Sequence, residues 1–102
     1  MKTLLSMLVL LGFLAVARPA MADDAAALYK SKCQVCHGAD GKGSPAGQRL
    51  GVKDFQSPDV AKQTDDELFK ATKEGKGKMP KYEGKLTDDQ IKSLVKFIRQ
   101  MK

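Results

Sequence analysis

The sequence predicts an all-α domain of about four short helices separated by two long loops. Three observations point there. No stretch alternates apolar and polar residues with the period of two that a half-buried strand requires. Four segments carry helix start signals or helical apolar spacing. Two runs, GADGKGSPAGQ at 38–48 and GKGKMPKYEGK at 75–85, are rich in glycine and each holds a proline, so both break regular structure.

Residues 1–22 are expected to be a secretory leader, cleaved to release residues 23–102. Lys2 supplies a positive start, Leu4 to Val16 is an almost unbroken apolar run, and Ala20-Met21-Ala22 is a processing site of the A-x-A kind. Ala15-Val16-Ala17 is a second such site, but the Arg18 directly after it suits cleavage less. The apolar run is shorter than the roughly 20 residues of a spanning helix, which argues against a retained anchor. Residues 23–102 then form a single domain near the lower size limit for one core. Without Lys2 and Arg18, 16 basic and 12 acidic side chains remain, a net charge of +4. That excess is mild and is no nucleic-acid signature. The mature part has Tyr29, Phe55, Phe69, Tyr82 and Phe97 as its aromatics and no Trp. A core so small usually needs a staple, a metal or a cofactor.

The first helix is expected over 24–32, alanine-rich, capped by Asp23 or Asp24 and leading directly into Cys33. Ser57-Pro58-Asp59 reads as an N-cap followed by proline at the first helical position. Thr64-Asp65-Asp66-Glu67 has the form of a capping box, and its helix should run to about Glu74, where Gly75 stops it. The last helix has the clearest signals. Thr87 caps it, Gln90 sits at the capping-box position, and Leu86 with Ile91 can form a hydrophobic staple. Ile91, Leu94, Val95 and Ile98 recur on one face, and Lys96, Arg99 and Lys102 complement the helix dipole near the end.

Both cysteines and the single histidine of the chain fall in CQVCHG, residues 33–38. Four chemistries compete for Cys33-x-x-Cys36-His37. Structural zinc needs four ligands, normally Cys or His, and the chain supplies three. A thioredoxin-type dithiol needs a strand–turn–helix setting that the pattern does not offer. A plain Cys33–Cys36 disulfide would close a very small loop, stabilise little, and leave His37 and both long loops unexplained. The remaining chemistry is covalent attachment of c-type haem. Two thiols add across the two vinyl groups of one haem, two intervening residues set their separation at one helical turn, and the next residue directs its imidazole at the iron.

With these residues in hand, the chain resembles the small class I c-type cytochromes of bacteria and photosynthetic organisms. The resemblance covers residues 23–102 and is carried by CQVCHG at 33–38, KMPKY at 78–82 and the final LTDDQIKSLVKFI. It implies the cytochrome c fold, with short helices and long loops wrapped around one covalently attached haem c. It implies that Leu94 and Phe97 of the last helix face Tyr29 and Ala25 of the first. Ala25 stands where the family often has glycine, so the helix crossing is expected to be slightly wider. It implies also that a proline carbonyl in the loop after the haem motif, here that of Pro45, accepts the other N–H of His37.

His37 can fill one axial position of the iron. The chain has no second histidine, so ligation by two histidines is impossible, and the mature part offers two methionines, Met79 and Met101, for the opposite side. Met101 is next to last on a helix end. Met79 lies in a loop, and Pro80 pushes it toward extended backbone. Met79 is therefore the expected second ligand, with packing against the ring or a neighbouring lysine as the alternatives. A His/Met pair leaves no open position and raises the reduction potential. Outer-sphere transfer of single electrons is favoured over enzymatic chemistry, and the carboxylates sit at helix starts as caps. The alternative is a haem-based sensor or gas-binding protein with a displaceable sixth ligand. Lys76, Lys78 and Lys81, with Lys73 and Lys85, surround Met79 and are either a solvated loop or a docking face for redox partners with acidic surfaces. A monomer, exported to the periplasm or an equivalent such as the thylakoid lumen and without stable membrane insertion, completes the expectation.

Overall fold

The computed structural model describes residues 20–101. The expected leader lies outside the described residues up to position 19. The first element is a continuous helical run: α1 (Ala20–Leu28), a wide π turn (Tyr29–Cys33) and α2 (Gln34–His37). Four more helices follow: α3 (Pro45–Arg49), α4 (Pro58–Ala61), α5 (Asp65–Glu74) and α6 (Asp88–Arg99). Among the described residues there are two isolated β-bridges and no strand, so the fold is all-α.

Two boundaries differ from the expectation. The first helix already includes Ala20, the first described residue, so Asp23 and Asp24 lie inside it rather than at its cap. Alanine-rich sequence of this kind propagates helix readily wherever residues upstream permit it. The run also continues through Cys33 to His37 instead of ending at Lys32. The loop expected over 38–48 contains α3, started by Ser44 with Pro45 at the first helical position, the same signal that opens α4.

The long helices are capped as their sequences demand. Thr87 and Gln90 form both bonds of the capping box, at 3.1 and 2.8 Å. At α5 only half of the box forms: the Thr64 hydroxyl accepts from the Glu67 N–H at 3.1 Å. The core lies where α1 and α6 cross. Tyr29, Leu86, Ile91 and Leu94 form one buried cluster, and Val60, Leu68 and Val95 a second, with Phe55, Phe69 and Ile98 packed against both. Ile91 is fully buried, and covering such a side chain contributes about 1.5–3 kcal/mol. Ala25 is buried too.

Arg99 closes the structure at its far end. Its Nε donates to Asp65 Oδ1 at 3.0 Å, one Nη donates to the Val60 carbonyl at 3.2 Å, and the other to the Gln63 carbonyl. One guanidinium thus joins the end of α6 to the end of α4 and the start of α5, a use of arginine's rigid fork that its position near a helix C-terminus did not reveal.

Candidate functional site

A helix leaves its last four carbonyls without intrahelical partners. For the run that carries Cys33, Cys36 and His37, the following loop satisfies all four. Gly38 N–H donates to Gln34 O (2.9 Å), Ser44 Oγ to Val35 O (2.6 Å), Ser44 N–H to Cys36 O (3.0 Å) and Gly43 N–H to His37 O (2.8 Å). The Tyr29 hydroxyl reaches down from the π turn to the Gly38 carbonyl at 2.5 Å. Ser44 also accepts from Gly47 N–H, which starts α3. The motif is therefore held by a seven-residue wrap from Gly38 to Ser44.

Gly47 explains how close that wrap comes. A Cβ at this position would lie 1.7 Å from the Cys36 carbonyl oxygen. Only a residue without a side chain lets α3 rest directly on the Cys36 peptide. Val52 packs over the same point, 3.0 Å from that Cβ position.

The three chemical groups of the motif are half-buried, and their sulfurs are not joined to each other. Burial pushes the Cys33 thiol up to about 11, so it stays protonated. Burial moves His37 below its ordinary value, which keeps the imidazole neutral, the form that ligates a metal. The His37 ring stacks on Phe55 with centroids 4.7 Å apart and planes 24° apart. Its Nδ1 is buried and has no hydrogen-bond partner. The expected bond to the Pro45 carbonyl is thus not formed. Pro45 is committed to the first turn of α3, and the wrap contacts the motif's backbone carbonyls rather than its ring.

Met79 sits in a tight turn. Lys76 and Met79 exchange backbone hydrogen bonds at 3.1 and 2.9 Å. Gly75, at φ +79°, is needed here, because a Cβ on it would meet the Met79 carbonyl at 2.8 Å. The chain then returns along the end of α5, where Tyr82 and Glu83 N–H donate to the Thr72 and Lys73 carbonyls. The Met79 side chain is half-buried and belongs to neither core cluster. Tyr82 packs on the first cluster beside Cys33, and its hydroxyl donates to the Lys32 carbonyl at 3.0 Å. Burial, with the neighbouring cysteines, raises its pKa.

Tyr29, Leu94 and Phe97 lie together. Tyr29 and Leu94 share the buried cluster, and the Tyr29 and Phe97 rings lie 5.3 Å apart. Lys76, Lys78 and Lys81 are exposed and make no ion pair among the described residues, whereas Lys73 is bound to Asp88 at 3.1 Å. Ser44, Gly47, Phe55 and Tyr82 are parts of the site that the sequence reading missed. Ser44-Pro45 carried a legible signal; the other three act through contacts far along the chain.

The donor set fits a covalently held haem. Two unpaired thiols stand one turn apart, followed by a neutral, partly buried imidazole whose Nδ1 is left for a further partner. No group of three His, Cys, Asp or Glu side chains is gathered among the described residues.

Comparison with known proteins agrees. Residues 20–98 match the family model described as cytochrome C oxidase, cbb3-type, subunit III. The cytochrome c6 of Leptolyngbya boryana is 32% identical over 81 residues, 74% of this chain and 89% of that protein. The solved structure of the KustC0563 c-type cytochrome superposes with a TM-score of 0.71 at 32% identity, covering 76% of this chain and 96% of that one. A tyrosine-to-phenylalanine variant of the same cytochrome gives the same TM-score over 78% and 99%. A motif with two free thiols and an imidazole, its complete backbone wrap and these likenesses converge: the chain belongs to the c-type cytochrome family just described, as a small class I monohaem member carrying covalently bound haem c.

Proposed function

We propose that this chain is a soluble, exported carrier of single electrons, in which Cys33 and Cys36 hold the haem and His37 and Met79 are its two axial ligands. The observation that carries the reading is the wrapped motif: every terminal carbonyl of the Cys33–His37 run is bonded, while the one buried polar atom left over there is on the ligand imidazole. When bound, the haem supplies an iron that changes oxidation state by one electron. The protein's part is to keep that change small in structural cost. The Gly38–Ser44 wrap and the Tyr29 bond fix the backbone of His37, and burial keeps its imidazole neutral. Gly75 and the Lys76–Met79 turn set the backbone of Met79. Exposed Lys76, Lys78 and Lys81 beside that turn suit encounter with an acidic redox partner. No described helix is long and apolar enough to cross a membrane, which is compatible with a soluble carrier once residues 1–22 are removed.

A pyridine haemochrome spectrum of the purified protein tests attachment. Met79→Ala tests ligation: it should lower the reduction potential and let carbon monoxide bind the reduced protein rapidly, as the parent should not. Fast, complete carbon monoxide binding by the parent would favour a ligand-binding protein instead. An unchanged potential and spectrum in Met79→Ala would remove Met79 from the ligand set.

A further inference from the structure

We propose that Tyr82 is the latch that keeps Met79 at its post, a positioning residue acting through the Lys32 carbonyl. Met79 and Cys33 are far apart in sequence and sit on separate elements. Among the described residues, a single hydrogen bond joins the 75–86 loop to the helical run of 20–37, and it is the one from the Tyr82 hydroxyl to Lys32 O, at 3.0 Å. Its two ends are well chosen. Tyr82 follows Met79 by three residues, and Lys32 directly precedes Cys33.

Both ends are also rigid. Tyr82 N–H is bonded to Thr72 O, and its carbonyl accepts from Lys85 and Leu86 N–H. Its ring packs on the core beside Cys33, so the phenol has little freedom to lose when it bonds. The accepting carbonyl lies in the π turn, where the Gln34 N–H bonds back to Tyr29 O, five residues earlier. Such widened turns are uncommon and cluster at functional places in helices. Here the wide turn presents a backbone acceptor to a side chain 50 residues away.

Because the latch acts on Met79, it presupposes that Met79 is the second axial ligand. Without that bond the loop is still held to α5 through the Tyr82 and Glu83 N–H groups and to the core through Leu86 and the Tyr82 ring. No hydrogen bond then ties it to the helical run that carries Cys33, so the turn with its thioether yields more easily to another ligand. The Tyr82 bond adds a cost to that opening. Removing the hydroxyl while keeping the ring should therefore favour any ligand that competes with Met79.

The test uses ferric holo-protein titrated with imidazole at neutral pH, with the red-region sulfur-to-iron charge-transfer band reporting Met79 on the iron. Tyr82→Phe should bind imidazole about fivefold more tightly than the parent, the worth of one ordinary hydrogen bond. Thr64→Ala, which removes a cap of similar worth at the start of α5, should leave imidazole affinity unchanged. Equal affinity in Tyr82→Phe and parent would overturn the latch, as would equal tightening in both variants, which would mean general loosening. Absence of the band from the parent itself would instead overturn Met79 as a ligand, and the latch with it.

Discussion

Replacing Gly47 by alanine should be among the most damaging single-methyl additions to this protein. The new Cβ would sit 1.7 Å from the Cys36 carbonyl oxygen, where ordinary contact needs about 3.4 Å. The neighbour is backbone, in a helix whose other carbonyls are already bonded, so it cannot turn aside. The α3 segment must lift by most of the shortfall, about 1.7 Å. That movement breaks the Ser44 bonds to Val35 O and Cys36 O, which measure 2.6, 3.2 and 3.0 Å, the two from Oγ being shared. At about 1 kcal/mol for each net bond, the loss is about 2–3 kcal/mol. For a domain of this size, 1 kcal/mol moves Tm by about 4–8 °C, so the holo-protein should melt about 10–20 °C lower. Thermal unfolding followed by far-ultraviolet circular dichroism measures this directly. Arg49→Ala on the exposed side of α3 is the control and should stay within about 0.5 kcal/mol of the parent. If Gly47→Ala melts within about 3 °C of the parent, α3 does not rest on Cys36, and the account of the wrap is wrong.

Other outcomes follow from the same structure. Tyr29 is 2% exposed, and burial above all raises its pKa to about 12 from 10.0. Folded protein then holds this proton more tightly than unfolded chain, so stability should fall as pH rises from 10 to 12, by up to about 3 kcal/mol, and Tyr29→Phe should flatten that slope in denaturant titrations across this range. Reversing Lys76, Lys78 and Lys81 to glutamate should slow electron exchange with an acidic partner at low salt and leave the potential nearly unchanged; equal slowing by reversal of Lys30, Lys42 and Lys96 would show that net charge alone matters. A Cys33→Ala, Cys36→Ala double variant without haem should show little helical circular dichroism, and a cooperative melt in it would mean that the haem is no part of the core.

Much of this fold is legible because its signals are local. Thr87 and Gln90 are three residues apart and make their bonds within one turn, so the start of α6 can be read without knowing what α6 packs against. The same holds for Thr64, and for Cys33, Cys36 and His37, whose spacing is their chemistry. Ser44-Pro45 was equally local, but glycines on both sides made the segment look irregular, and α3 was lost among them. The rest depends on distant partners. The π turn at 29–33 has no composition of its own; its consequence appears only when Tyr82 arrives at Lys32 O. Gly47 is ordinary in a glycine-rich loop until Cys36 is seen beneath it. The carbonyl role of Pro45 rests on likeness alone, and here His37 Nδ1 has no hydrogen-bond partner. Arg99 had the right charge for a helix end, yet its three partners come from residues 60–65, which no helix rule connects to it.

The Arg99 clamp bears on how the chain can assemble during synthesis. Val60, Gln63 and Asp65 wait for the guanidinium of Arg99, made 34 to 39 residues after them, and Gln56 Nε2 waits for the carbonyl of Met101, at 2.8 Å. The last helix also supplies Ile91, Leu94 and Val95 to both clusters that the earlier helices need. A chain emerging from its N-terminus therefore exposes Cys33, Cys36 and His37 long before it can close around them. The half-made protein stays open, and its thiols stay reachable, until α6 arrives. Removing α6 should leave such an open chain, rather than a slightly shorter version of the finished one.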